Sequence, residues 1–156
     1  MMKQLLHKIP IFILIFLLIT SAVPFVPSIN PAKAQGDNWL IGWAYRKSHV
    51  IQSASGAGTN YQIKITVHYG SGTDSGEHVY LNSKSRTDFG DIRFTDDDGS
   101  TLLDYWMESK TDGDQAVFWV EVADNLTASD ATIYIYYGKS DATTTSNGTA
   151  TFLLYD

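Results

Sequence analysis

Asn60-Tyr-Gln-Ile-Lys-Ile-Thr-Val-His-Tyr69 decides the fold class. Successive side chains of an extended chain point to opposite faces. Tyr61, Ile63, Ile65, Val67 and Tyr69 therefore share one side, and Gln62, Lys64, Thr66 and His68 the other. Strict alternation of this kind predicts a strand with one buried face and one wet face. Working outward, short runs rich in Val, Ile, Tyr, Trp and Thr recur at 43–51, 91–95, 102–108, 116–122, 132–137 and 151–155. Clusters of Gly, Asp, Ser and Asn separate them, and no long helical periodicity intervenes. The polar, Gly-rich stretch 71–86 reads as a long loop with room for a short strand at 78–81. Seven or so strands of this kind predict an all-β fold, an antiparallel β-sandwich of jelly-roll type.

One hairpin shapes the functional reading. Residues 102–108 and 116–122 are joined by Ser-Lys-Thr-Asp-Gly-Asp, a good turn segment. Pairing Tyr105 with Phe118 predicts an apolar face of Leu103, Tyr105, Met107, Ala116, Phe118 and Val120. The opposite face then gathers Asp104, Trp106 and Glu108 with Val117, Trp119 and Glu121. This mixture of indoles and carboxylates is the most site-like constellation in the chain.

The first 34 residues speak to destination. Lys3 and Lys8 precede an almost unbroken apolar run, 9–19, and the triplet Ala32-Lys33-Ala34 follows. A basic start, an apolar stretch too short to span comfortably and an A-x-A exit predict a secretory signal peptide, 1–34, cut after Ala34. The alternative is an uncleaved anchor, which would be the chain's only membrane attachment. A short linker, 35–42, and a β-sandwich domain, 43–156, complete the expected organisation. Residues 35–156 carry 8 basic and 17 acidic side chains, a net charge of −9. So acidic a surface argues against nucleic acid and against anionic lipid headgroups as partners. With no cysteine in the chain, an exported domain must be held by its core, or by a core plus metal.

Three site chemistries are worth weighing. In a sugar-binding platform, indole and phenol faces stack on pyranose rings while carboxylates accept from hydroxyls. Trp106, Trp119, Asp104 and Glu121 fit that description, with Tyr134 and Tyr136 as a second set; packing of the same rings as core aromatics is the competing reading. A glycosidase would use paired carboxylates, but Asp104 and Glu108 lie four residues apart, roughly 13 Å along a strand. Retaining chemistry needs about 5.5 Å and inverting chemistry about 6.5–9.5 Å, so no catalytic pair is expected. Asp96-Asp97-Asp98-Gly99 offers hard oxygen ligands, and Asp96 and Asp98 are the candidate ligands of a structural calcium ion. The run departs from an EF-hand loop, and an Asp-rich turn explains it equally.

Smaller signals complete the list. His49, His68 and His78 show no ligand spacing, so zinc is not expected and calcium is the only cofactor considered. Arg93 is expected to pair with Asp91 on one strand face. Asn125 and Asn147 open N-x-T sequons.

Four ordered blocks resemble a known family. They are Trp43-Ala-Tyr-Arg-Lys47; Gly90-Asp-Ile-Arg-Phe-Thr-Asp96 with Asp98-Gly99 and Leu102-Leu103; Val117-Phe-Trp-Val-Glu-Val122; and Ile133-Tyr-Ile-Tyr-Tyr-Gly138. Together they are similar to the domain of unknown function 2341 (DUF2341) family. The resemblance implies an exported or surface protein, often a mosaic in which this domain precedes a concanavalin-like or other β-sandwich module. Phe152-Leu-Leu-Tyr-Asp156 resembles the junction with such a module. It brings no catalytic residues. The combined expectation is an exported, non-catalytic module that binds polysaccharide or a surface protein, in glycan binding or adhesion. A structural spacer packing on a neighbouring lectin-like domain is the alternative, and an enzyme comes third.

Overall fold

The computed structural model describes residues 38–154. The predicted leader, the start of the linker, Tyr155 at the end of the predicted last strand, and Asp156 lie outside the described residues. Among the described residues, seven strands form two sheets. The first sheet has the order β1-β7-β4, from Tyr45–Ile51, Ala131–Tyr137 and Arg93–Thr95. The second has the order β3-β2-β6-β5, from His78–Tyr80, Tyr61–His68, Gln115–Val122 and Tyr105–Thr111. The two sheets pack into an all-β sandwich, as the alternation predicts.

β6 shows the cause most clearly. Ala116, Phe118, Val120 and Val122 are buried while Gln115, Val117, Trp119 and Glu121 stay half-exposed. Inward side chains of the second sheet, Ile65, Val67, Phe118 and Val120, meet Phe94, Ile133 and Ile135 of the first. Phe94, Tyr105 and Phe118 interlock edge to face at centroid distances of 5.4–5.8 Å. Such aromatic pairs add about 0.5–1.5 kcal/mol each to their area burial. Tyr61, predicted on the buried side of β2, is 49% exposed because it lies at the strand's first position, beyond the covering sheet.

The β5–β6 hairpin runs longer than its sequence suggests. β5 begins at Tyr105 and continues to Thr111, and Leu102 is left in an isolated bridge to Thr95. Only Asp112-Gly113-Asp114 form the turn, with Gly113 at φ +74° and Asp114 N donating to Thr111 O. A three-residue loop with glycine in the left-handed position is a standard hairpin closure. The register also differs. Tyr105 opposes Val120 and Trp106 opposes Trp119, two residues from the expected pairing, and a bulge follows at Glu108. A slip of two preserves the faces, since the side-chain period is two.

Other differences concern connections. β3 pairs with β2 in parallel, Thr66 against His78 and His68 against Tyr80, the one exception to antiparallel order among the described strands. Thr151, the start of the strand predicted at 151–155, instead ends a helical turn, α1, Gly148–Thr151, and 152–154 form no strand. Asn147 caps it by accepting from the N–H groups of Thr149 and Ala150, and a good N-cap favours a helix start over an extended chain.

Arg93 and Asp91 do not form the expected ion pair. Asp91 is fully buried and accepts from the backbone N–H groups of Arg86, Gly138 and Lys139. Arg93 instead donates to the carbonyls of Gly90, Ile92 and Thr143 and to the Tyr105 hydroxyl. Both charges are thus spent as clamps on the connecting loops, which satisfies the rule that buried charge must be hydrogen-bonded.

Candidate functional site on the outer face of the four-stranded sheet

The outward side chains of β2, β6 and β5 build a surface of mixed character. Gln62 opposes Glu121 and Lys64 opposes Trp119 across β2–β6, and Trp119 opposes Trp106 across β6–β5. Both indoles are half-buried. Asp104, one residue before β5, is exposed, and its carbonyl accepts from Glu121 N at 2.9 Å. The four predicted platform residues Trp106, Trp119, Asp104 and Glu121 therefore come together on one face.

Five contacts order this face. Trp119 Nε1 donates to Glu108 Oε2 at 3.0 Å. Gln62 Nε2 donates to Glu121 Oε2 at 3.2 Å and to the carbonyl of Thr151 at 2.9 Å. Phe152 meets Trp106 at 5.8 Å and Trp119 at 6.0 Å, edge-on to both. The stretch after β7 thus returns across the outer face, with Met107 N donating to Ser146 Oγ at 2.7 Å and Asn147 N to Tyr105 O at 2.8 Å. Sequence reasoning placed Glu108 on the indole face and missed Gln62 and Phe152. The alternation of β2 gave a signal for Gln62; nothing local gave one for Phe152.

The tyrosines predicted as a second set lie elsewhere. Tyr134 and Tyr136 point outward from the first sheet, on the opposite side of the sandwich. Tyr136 is fully buried, and its hydroxyl donates to Gly99 O at 2.7 Å and accepts from Arg46 at 2.9 Å. The Arg46 guanidinium lies over Tyr134 at 4.2 Å and over Trp39 at 4.6 Å, a stacked cation–π arrangement. These rings hold residues 38–39 against the 96–101 turn, and Tyr136 presents no accessible ring face.

The candidate calcium ligands act in that turn. Asp98 Oδ1 accepts from the N–H groups of Ser100 and Thr101, and Oδ2 from the Thr101 hydroxyl. The hydroxyl, then the two amides, hold this carboxyl down at about 2. Asp96 Oδ1 accepts from Asp97 N. Burial, with Asp96 and Asp97 nearby, raises the Asp124 carboxyl. The carboxylates organise the turn in the manner expected of Asp-Gly sequences. Among the described residues, no group of three or more His, Cys, Asp or Glu side chains is placed to hold a metal.

Of the sequon residues, Asn125 is exposed with its side chain accepting from Thr127 N, and Asn147 is the cap of α1. His68 and His78, scattered in sequence, are brought together by the β2–β3 pairing.

Comparison with known proteins gives one match. Residues 88–156 match the family model described as Domain of unknown function (DUF2341). That stretch holds three of the four blocks quoted above; Trp43–Lys47 precedes it. No curated protein and no solved structure matches the chain.

Proposed function

We propose that this chain, whose residues 88–156 match the DUF2341 family, is an exported, non-catalytic β-sandwich module that binds polysaccharide through the outer face of its four-stranded sheet. The observation that supports the reading is the direct opposition of Trp106 and Trp119, both half-buried, beside Glu121, Glu108 and Gln62. Two neighbouring indoles supply apolar area for sugar C–H faces, and the adjoining carboxylates and amide supply acceptors and donors for hydroxyls. The basic, apolar leader supports export, and the net negative charge suits an uncharged glycan better than an anionic one.

Screening the domain on a polysaccharide array tests the reading. A hit that weakens in Trp106→Ala, with the thermal transition intact, is expected; silence across the array from folded protein would overturn it. A second reading is favoured by Phe152, which meets both indoles edge-on. There the indole pair is a structural seat for the segment 146–152, and the domain is a spacer.

A further inference from the structure

We propose that His68 and His78 form a two-histidine binding site for a divalent transition-metal ion, Cu2+ before others. The parallel register places His78 beside Thr66 and His68 beside Tyr80, so the two imidazoles sit diagonally on the outer face of β2 and β3. His68 Nε2 and His78 Nδ1 face each other at 2.9 Å. Tyr80 stacks on the His68 ring with centroids 4.3 Å apart and planes 12° from parallel, which fixes that ring's orientation.

One ion can bridge the two nitrogens. Imidazole nitrogens bound at about 2.0–2.1 Å to one ion lie about 2.9 Å apart at a right angle, but about 3.4 Å apart at a tetrahedral angle. The present 2.9 Å is the length of the hydrogen bond between the rings and lies within about 0.5 Å of either span, so it is the pair of nitrogen donors that favours Cu2+ and Ni2+. Cu2+ also heads the affinity order for nitrogen ligands. Binding would replace the present nitrogen-to-nitrogen hydrogen bond by two bonds to the ion, after a small turn of the rings.

The surroundings suit the same role. With Nδ1 of His78 as ligand, its Nε2 lies 3.9 Å from Glu77 Oε1. A carboxylate hydrogen-bonded to the second ring nitrogen is the usual partner that orients a metal-bound histidine, and Glu77 would take that place by closing in from its present ion-pair distance. Glu77 is itself held by Lys64 Nζ at 3.1 Å. The His78 side chain is 48% exposed, so an ion reaches it from solvent, and water completes the coordination.

Titrating the full chain with Cu2+ alone tests the proposal, read by the visible absorption of nitrogen-bound copper and by the melting temperature. One equivalent bound at this site and a higher melting temperature are expected, with Ca2+ and Mg2+ inert. Glu77→Gln should weaken binding about tenfold, and His68→Ala or His78→Ala by more. His7→Ala and His49→Ala should leave it unchanged. Melting in chelator shows that each variant is folded. Absence of binding, or binding indifferent to both His68→Ala and His78→Ala, would overturn the site.

Discussion

Trp119 donates its indole N–H to Glu108 at 3.0 Å, and Glu108 is the residue that the β5 bulge leaves without a cross-strand partner. The bulge thus re-aims a carboxylate along the indole edge, a recurrent use of such irregularities next to sites. Removing the acceptor in Glu108→Ala should cost only about 0.5–1.5 kcal/mol, because the pair is exposed. Any polysaccharide found on the array should be lost in Trp119→Ala and weakened less in Glu108→Ala. Equal retention by both variants would separate this face from binding.

The centre of the sandwich predicts a much larger effect. Phe118 is fully buried and meets Phe94 and Tyr105 edge to face. Phe118→Ala should lose about 3–5 kcal/mol in urea unfolding, whether or not the outer face binds a ligand.

Asp91 should prove as important as a core aromatic. Its carboxylate is fully buried and accepts from three backbone N–H groups. Asp91→Ala strands those donors and should cost on the order of 3 kcal/mol or more. A denaturant midpoint close to wild type would refute the clamp.

Two glycines with similar backbone angles should respond differently. Gly99 and Gly113 have φ of +72° and +74°. A Cβ at Gly99 would come within 2.5 Å of Asn38 O and 2.6 Å of Arg46, whereas one at Gly113 would meet nothing within 4 Å. Gly113→Ala should cost about 1–2 kcal/mol from backbone strain alone, and Gly99→Ala clearly more. Thermal melts of the pair provide the check.

Acid should weaken the fold through its turn carboxylates. Asp98 is held at about 2 by the Thr101 hydroxyl and neighbouring amides. The Arg86 guanidinium and the Gly90 amide hold Asp88 lower still. A carboxyl depressed in the folded state contributes stability in full above its unfolded value, near 3.9. That contribution is lost as pH falls through the folded value. Melting temperature should therefore drop between about pH 4 and pH 2, less steeply in Asp98→Ala.

The hairpin shows how far the sequence could be read. Its faces were legible because alternation needs only the period of the strand, and a slip of two leaves every side chain on its predicted face. Its register and extent were not, because the bulge at Glu108 and the turn at Gly113 depend on how β5 fits the twist of β6. The candidate platform was legible to the same degree. Trp106 and Trp119 share a face by alternation, while Phe152 reaches them through a chain reversal with no local signature. The burial of Tyr136 was not legible for a related reason. Alternation places Tyr136 on the face away from the core, but says nothing of Trp39, Arg46 and the 96–101 turn that cover it.

By itself, then, the sequence determined that residues 43–137 form short strands with one apolar side each, since burial of that side is a local, periodic requirement. Tertiary structure alone decided which strands are neighbours. The parallel pairing of β2 with β3 sets His68 against His78, and the return of 146–152 across β5 and β6 sets Phe152 against the two indoles. Neither follows from periodicity, because strand order is chosen by how two whole sheets close over a common core.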